Sequence, residues 1–293
     1  MQARGSRWAI ILAAGDGRRL AGLTGDANGA PIPKQYCSFG ERAPMLRWAV
    51  ERAHRSVPPG FVITVVAAQH RDLWQRELAD MPPANVLAQP RNRGTAPGLL
   101  LPLLNVVERD PEARVVVLPS DHYVADEASF AESLRGACGA VEEHLDRVIL
   151  LGMRAVEPEA ECGWIQHDGA GQYGLFRVTS FVEKPGTEGA RRLMRLGGLV
   201  NAFVLVAAAK ALLRLYVDAL PCLVNEFSRC PGSLSDPALL SALYDRLPTA
   251  DFSRDVLERV AGSVLVFAAA DCGWSDLGRP EAVLRFLQRH APR

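Results

Sequence analysis

Short apolar runs alternate with longer amphipathic segments along the first half of this chain, and no other feature limits its fold as strongly. The runs, which are apolar on both faces, lie at 8–14, 61–67, 85–88, 114–118 and 147–152. The segments with a helical period lie near 44–56, 70–79, 95–109 and 126–144. Such strands, separated by helices, predict an α/β fold with a mostly parallel central sheet flanked by helices.

The pattern changes after about residue 152. Strands are predicted at 163–167, 175–183, 199–206 and 263–269, and helices near 187–196, 208–219, 236–246, 253–260 and 280–290. The sequence has no internal repeat, low-complexity stretch or long linker. We therefore predict a single domain over 1–293, with a first half at about 1–155 and a second at about 156–293.

Composition narrows the functional classes. Lys plus Arg equals Asp plus Glu at 33 each, so the net charge is zero and the basic excess typical of nucleic-acid binders is missing. The six cysteines form no CxxC spacing, which predicts reduced, mostly buried thiols and no zinc site. The apolar run near the N-terminus is too short for a membrane span, so we expect a soluble, cytoplasmic protein with no membrane partner.

The loop after the first strand has the composition of a phosphate-binding loop. Ala13 and Ala14 end the strand, and Gly15 and Gly17 lack Cβ atoms, so main-chain N–H groups there can approach an anion closely. The same stretch carries three cations, Arg18, Arg19 and Lys34. A dinucleotide-binding loop would have glycine at the position of Leu20, which disfavours an NAD-dependent oxidoreductase, and a P-loop motif is absent from the sequence.

LAAGDGRRL at 12–20, followed by PKQ at 33–35, resembles the signature of sugar-phosphate nucleotidyltransferases. The PKQ ending is most similar to the mannose-1-phosphate guanylyltransferase branch. The resemblance implies a Rossmann-like, GT-A-like nucleotidyltransferase fold. It also implies that Gly15, Gly17 and Arg19 hold a triphosphate and that Lys34 lies near the reacting phosphates.

A second loop carries the candidates for base recognition. Gln89 offers a donor and an acceptor to a base edge, Gly94 permits close approach to the main chain, and Thr95 can cap the following helix. The segment 89–97 is similar to the guanine-binding stretch of the same family, with Gly94 inserted. We therefore take Gln89, Gly94 and Thr95 as base-side candidates, although a plain strand-to-helix loop would have the same composition.

Two acids are candidate magnesium ligands. Asp121 follows an apolar strand, where a carboxylate faces the ligand crevice of a parallel sheet, and Mg²⁺ takes one or two carboxylates together with substrate phosphates. Each acid alone is also compatible with a turn or helix-cap role. PSDH at 119–122 and WSDLG at 274–278 resemble the metal-binding motifs of the family, which implies that Asp121 and Asp276 bind Mg²⁺ and that His122 is a structural neighbour.

The sugar-side candidates lie in the second half. FVEKP at 181–185 is similar to the family motif that implies Glu183 for the sugar and Lys184 for its phosphate. Because neighbouring residues of a strand point to opposite faces, Glu183 and Lys184 need not pair with each other. The resemblance also implies Gly163 and Asn201 as sugar contacts, while Cys162, Ala202, Phe203 and Arg279 depart from the family pattern.

Together these motifs imply an enzyme that joins a sugar 1-phosphate to a nucleoside triphosphate with Mg²⁺, releasing pyrophosphate. Mannose 1-phosphate and GTP are the favoured small-molecule substrates on resemblance. The alternatives are another pair, such as one with glucose 1-phosphate, or a non-catalytic nucleotide-sugar-binding regulatory protein. The oligomeric state stays open, with a homodimer among the alternatives. Because few residues follow WSDLG, we expect no appended isomerase or β-helix domain.

Overall fold

The computed structural model describes residues 5–17, 24, 31–39, 43–278, 283–284 and 286–287. Its strands are β1 Arg7–Ala13, β2 Val62–Ala67, β3 Val86–Gln89, β4 Arg114–Pro119, β5 Val148–Arg154, β6 Gly163–His167, β7 Leu175–Glu183, β8 Leu199–Ala208 and β9 Val264–Ala268. Its α-helices are α1 Met45–His54, α2 Arg71–Glu77, α3 Thr95–Arg109, α4 Glu127–Glu143, α5 Gly186–Arg195, α6 Ala209–Ala219, α7 Pro221–Ser228 and α8 Pro237–Arg246.

All these strands belong to one sheet, in the order β3-β2-β1-β4-β8-β5-β9-β7-β6. The first half is parallel, with β1 between β2 and β4 and β3 beside β2. In the second half β8 is antiparallel to both β4 and β5, and β7 is antiparallel to β9 and β6. The expectation of a mostly parallel sheet is therefore wrong for the second half, and the sheet is mixed.

The second half also closes on itself. β6 pairs with the first residues of β8, on the edge where β4 pairs with its last residues. The strands β8, β5, β9, β7 and β6 thereby form a small closed barrel beside the open parallel part. Local sequence patterns do not report strand direction, because a buried strand has the same apolar composition in either orientation.

The core lies on both faces of the sheet, as the doubly apolar strands predicted. Neighbouring residues of β1 show this: Ile10 packs in one buried cluster with Leu99 of α3, and Ile11 packs in a second cluster with Leu46 of α1. The alternation of side chains along a strand sends them to opposite sides. Burying both faces in this way leaves the functional side chains at the strand ends.

The remaining predictions met different outcomes. The predicted strands are all found, with ends shifted by up to two residues. Helix α7 was not predicted, because it follows α6 closely and begins at Pro221, a residue that usually interrupts a helical pattern. The segment predicted as a helix at 253–260 is a π-helical turn, Ser253–Leu257. Residues 283–284 and 286–287 of the predicted terminal helix are helical, and the rest lies outside the described residues. All six cysteines are free, but only three are buried.

None of the helices in the described part of the chain combines the length and apolar character that a membrane crossing requires.

An ion pair between a buried arginine of α1 and a half-buried glutamate of α4 joins the two helices. The Arg52 side chain is 4% exposed, and its Nη2 lies 2.6 Å from Oε1 of Glu127. Arg52 Nε also donates to both Glu127 oxygens, and the guanidinium stacks on the Phe130 ring at 5.2 Å. Removing one partner of such a pair leaves the other charge buried without compensation.

We expect Glu127→Ala to lower the free energy of unfolding by about 3 kcal/mol, because Arg52 then stays buried without its carboxylate. Urea denaturation measures this change. The double variant Arg52→Met with Glu127→Ala should recover at least about half of the loss, since no buried charge remains. A single variant as stable as the unmodified protein would contradict the role given to the pair.

Candidate functional site

A cleft of about 540 Å³ opens at the edge of the sheet where β1, β3 and β4 end. Ligands of parallel sheets bind beyond the carboxyl ends of the strands, which is where this cleft lies. Most of the predicted nucleotide and metal residues line it: Ala14, Gly15, Gly17, Lys34, Gln89, Gly94, Thr95, Asp121 and Asp276. Ala13 is buried behind them at the end of β1, and Arg18 and Arg19 lie outside the described residues.

Gln35 holds the glycine loop in shape. Its Nε2 donates to the carbonyl oxygens of Ala13 at 3.0 Å and Gly15 at 2.8 Å. Gly17 has φ of 65°, and a Cβ there would lie 2.6 Å from Cα of Pro33. A Cβ on Gly15 would meet nothing within 4 Å. Chain packing therefore explains the glycine at 17, whereas the glycine at 15 borders open space in the cleft.

Lys34 joins the two predicted metal ligands. Its Nζ lies 3.0 Å from Oδ2 of Asp121, and it also donates to the main-chain carbonyl of Asp276. The Lys34 side chain is only 7% exposed, whereas that of Asp121 is 39% exposed. A buried ammonium needs such partners. This corner of the cleft therefore holds a positive charge between the Asp121 carboxylate and the Asp276 carbonyl.

The Asp276 carboxylate is held by its own loop. Oδ1 accepts from the Gly278 N–H at 2.9 Å, and Oδ2 lies 3.8 Å from the Cys162 thiol. The loop is anchored to the end of β4 by paired main-chain hydrogen bonds between Tyr123 and Ser275. Both acids thus lie on one continuous support.

His122 follows Asp121 and contacts the loop that carries Asp276. Burial lowers its pKa to about 4, although the adjacent Asp121 carboxylate acts in the opposite direction. Its Nδ1 lies 3.2 Å from Trp274 Nε1, which donates to it. A histidine held in this way is suited to positioning Trp274, in agreement with the role of structural neighbour.

Gln89 is positioned by a residue from far along the chain. Its Nε2 donates to the Tyr244 hydroxyl at 3.1 Å, and that hydroxyl donates in turn to the carbonyl of Pro97. The Gln89 amide is therefore buried and oriented at the cleft wall. Burial also raises the pKa of Tyr244, so this hydroxyl stays protonated.

The expectation that Thr95 caps α3 is wrong. The N-cap is Gly94, with φ of 86°, and a Cβ there would lie 2.3 Å from the carbonyl oxygen of Ala250. Close packing of the 250–252 segment thus requires this glycine. The Thr95 hydroxyl instead donates to Oδ2 of Asp251 at 3.2 Å and accepts from the Phe252 N–H at 2.7 Å.

The predicted sugar-side residues lie beside the cleft and are not among the described residues that line it. Gly163 pairs with Glu183 across β6 and β7. Lys184 Nζ lies 3.4 Å from Oε1 of Glu183, so these side chains do pair. The alternation rule fails here because Lys184 follows the strand end with φ of 50°. Asn201 is buried, and its Oδ1 accepts from the Phe203 N–H at 3.1 Å.

The surroundings of Glu183 raise the pKa of its carboxyl group. Burial raises its pKa, the Lys184 ammonium opposes that shift, and the Asp251 carboxylate adds to it. Asp251 itself lines the cleft. The electrostatic link shows that the sugar-side residues are close neighbours of the cleft wall.

Backbone strain is concentrated around this site. Among the described non-glycine residues with positive φ, three are Lys184 at 50°, Phe203 at 53° and Leu277 at 45°. Phe203 lines the cleft, and Leu277 lies between the lining residues Asp276 and Gly278. Each such residue costs on the order of 1–3 kcal/mol and persists only where its surroundings enforce it, which is common at functional sites.

Sequence reasoning missed Asp251 and Tyr244, and did not assign Gln35 a structural role. Asp251 meets Thr95 across 156 positions of sequence and Tyr244 meets Gln89 across 155, so no local pattern points to either. For Gln35 a signal existed: a buried amide two residues after Pro33 can serve an adjacent glycine loop as a hydrogen-bond donor.

A family model described as Nucleotidyl transferase matches residues 8–219 of this chain. The xanthan biosynthesis protein XanB of Xanthomonas campestris is 28% identical over 287 residues, which cover 94% of this chain and 58% of that protein. The mannose-1-phosphate guanylyltransferase of Escherichia coli is 27% identical over 290 residues, covering 94% of this chain and 59% of that one. The chain thus spans less than two thirds of the length of these relatives.

A solved structure has a similar fold. The protein described as mannose-1-phosphate geranyltransferase from Thermus thermophilus superposes with a TM-score of 0.83 at 28% identity, covering 98% of this chain and 80% of that one. The family match extends from the second residue of β1 to the last residue of α6, and so includes the glycine loop, Lys34 and Asp121. The chain belongs to the nucleotidyl transferase family.

Proposed function

We propose that this protein joins mannose 1-phosphate to GTP, forming GDP-mannose and releasing pyrophosphate. The observation that carries the proposal is the meeting of Lys34, Asp121 and Asp276 in one cleft with the open glycine loop. Family membership supports nucleotidyl transfer. The choice of mannose and GTP is supported by the relatives that bear the name mannose-1-phosphate guanylyltransferase.

The reaction is an in-line displacement. An oxygen of the sugar phosphate attacks the α-phosphorus of the triphosphate, and the bond from that phosphorus to the β-bridging oxygen breaks as pyrophosphate leaves. The attacking phosphate is already ionised at neutral pH, because its second pKa lies near 6. No general base is therefore required for the attack.

The main barrier is the approach of two anions. Two unit charges about 4 Å apart repel by about 4 kcal/mol at an effective dielectric constant of about 20. Main-chain N–H groups at Gly15, the Lys34 ammonium and the Lys184 ammonium offset that repulsion, and Arg19 is assigned to the same task by resemblance. Lys34 is already fixed at the cleft by its two partners, so little reorganisation is needed on reaction.

Asp121 and Asp276 fit a magnesium ion that is shared with the substrate. Among the described residues no group of three acids, histidines or cysteines makes a self-sufficient metal site. Two carboxylates on one support are nevertheless the protein share that Mg²⁺ takes when phosphates supply the other ligands. When bound, the ion would neutralise charge on the phosphate oxygens and on the departing pyrophosphate.

The proposal places the base in the cleft around Gln89 and the sugar at the candidate residues beside the cleft. Gln89 has its Nε2 engaged by Tyr244, so its carbonyl oxygen can accept from a base edge near Gly94 and Thr95. Gly163, Glu183 and Asn201 are assigned to the sugar, and Lys184, which is 36% exposed, to its phosphate. A GT-A-like single domain and a cytoplasmic location belong to the same proposal.

A substrate matrix tests the reaction. We expect pyrophosphate release to be fastest with GTP and mannose 1-phosphate among four triphosphates and several sugar 1-phosphates. Chelation of divalent ions with EDTA should stop the reaction, and excess Mg²⁺ should restore it. If the protein binds GDP-mannose but releases no pyrophosphate with any pair, the regulatory alternative is the correct one.

Asp121→Asn tests the charged corner. We expect kcat/KM to fall by about 100-fold or more, because the variant loses the carboxylate that faces Lys34 and the metal. The thermal midpoint should also fall, because the buried Lys34 ammonium loses its charged partner, but circular dichroism should still show a folded protein, since Asp121 itself is partly exposed. Asp146→Asn is the matched control: this acid is 66% exposed and forms an ion pair with the neighbouring Arg147 at 3.5 Å. Equal activity in the two variants would remove Asp121 from the mechanism.

The glycine loop offers a comparison between two similar substitutions. Gly15→Ala should leave the thermal midpoint unchanged, because its Cβ meets open space, but should raise the KM for GTP about tenfold by blocking phosphate approach. Gly17→Ala should instead lower the thermal midpoint, since its φ is 65° and Pro33 stands in the way. An unchanged KM for GTP in Gly15→Ala would show that this loop does not bind the triphosphate.

A further inference from the structure

The backbone around Phe203 directs its side chain away from the regular sheet pattern. Leu150 pairs with Leu205 and Gly152 with Asn201, so three residues of β8 stand opposite Leu151 alone. Such bulges redirect a side chain and are often found next to active sites. The Asn201 side chain closes the turn by accepting from the Phe203 N–H at 3.1 Å. Phe203 has φ of 53°, a conformation that a bulky residue rarely adopts.

The Phe203 ring rests on a rigid support. It lies edge-on to the Phe252 ring, with centroids 5.9 Å apart. Phe252 is fully buried and packs in turn on Tyr216 at 5.5 Å. Because the core holds Phe252, the Phe203 ring forms a fixed part of the cleft wall that it lines.

The ring lies between the two sets of substrate residues. On one side, the Phe252 N–H donates to the Thr95 hydroxyl on the base side of the cleft. On the other, Ser253 follows Phe252 and is close enough to the Glu183 carboxyl group to lower its pKa. The Glu183 side chain is only 9% exposed and is not among the described residues that line the cleft. Phe203 therefore lines the part of the cleft that is nearest to the sugar-side candidates.

We infer that Phe203 determines the acceptor specificity of this protein. The Phe203 side chain forms a rigid wall of the sugar site. It excludes sugar 1-phosphates that carry a bulky substituent on the sugar ring. The inference rests on the proposed function and adds to it a residue that limits the size of the substrate. Strain at Phe203 fits this role, since a glycine would adopt the same backbone conformation freely but would leave the wall open.

Phe203→Gly tests the inference with GTP as donor and with mannose 1-phosphate and N-acetylglucosamine 1-phosphate as acceptors. The ratio of kcat/KM for mannose 1-phosphate to that for N-acetylglucosamine 1-phosphate should fall at least about tenfold, while the KM for GTP stays within about twofold. Phe203→Leu, which keeps apolar bulk, should retain most of the selectivity. Tyr173→Gly is the matched control, because Tyr173 also has φ of 53° but is 96% exposed and outside the cleft lining.

An unchanged ratio in folded Phe203→Gly would overturn the inference. A higher KM for GTP with an unchanged ratio would also overturn it, and would assign the ring to the nucleoside. Calorimetry provides a readout without turnover: Phe203→Gly should weaken GDP-mannose binding about fivefold or more and leave GDP binding unchanged. Absence of pyrophosphate release in the unmodified protein would defeat the proposed function alone, because the binding comparison would still decide the role of Phe203.

Discussion

The contact between Lys34 and Asp121 is the interaction on which the site depends. Lys34 also donates to the carbonyl of Asp276, which is 242 positions away in sequence. A buried ammonium group is costly without such partners, so the pairing favours one arrangement of the loop before α1, the end of β4 and the loop after β9. In the proposed reaction the Lys34 ammonium would attract the phosphates directly, and the two acids would act through a magnesium ion. The fold and the proposed chemistry thus share one electrostatic requirement.

The direction of β8 builds the other wall of the cleft. Val117 of β4 pairs with Leu205 in the antiparallel sense, so the first residues of β8 lie beyond the carboxyl end of β4. Those residues include Asn201 and Phe203, which a parallel strand would have placed at the opposite edge. The bulge in β8 then sets the path of the wall at the cost of local strain. A mixed sheet therefore borders the cleft on two sides.

Much of the fold was predictable, because its signals are local. The apolar runs predicted each strand, and α3 was predicted with the bounds it has, Thr95–Arg109. Strand direction and the start of α7 were not predictable, since neither changes the apolar period of the residues involved. The role of Thr95 was wrong for a different reason. A threonine at the start of a helix is typical of an N-cap. In the folded chain, however, the Thr95 hydroxyl donates to Asp251 and does not cap the helix.

The sequence by itself determined the strands, the glycine loop and the identity of the charged residues, because these follow from the period of apolar residues and from side-chain chemistry. Tertiary structure alone decided which of them meet. It brought Lys34, Asp121 and Asp276 into one cleft, and left Glu183 and Lys184 paired beside it. It also exposed the part played by Asp251 and Phe203. The physical reason is that the partners of the buried charges lie far apart in sequence, as with Lys34 and Asp276 at 242 positions, and no local window of sequence contains both members of such a pair.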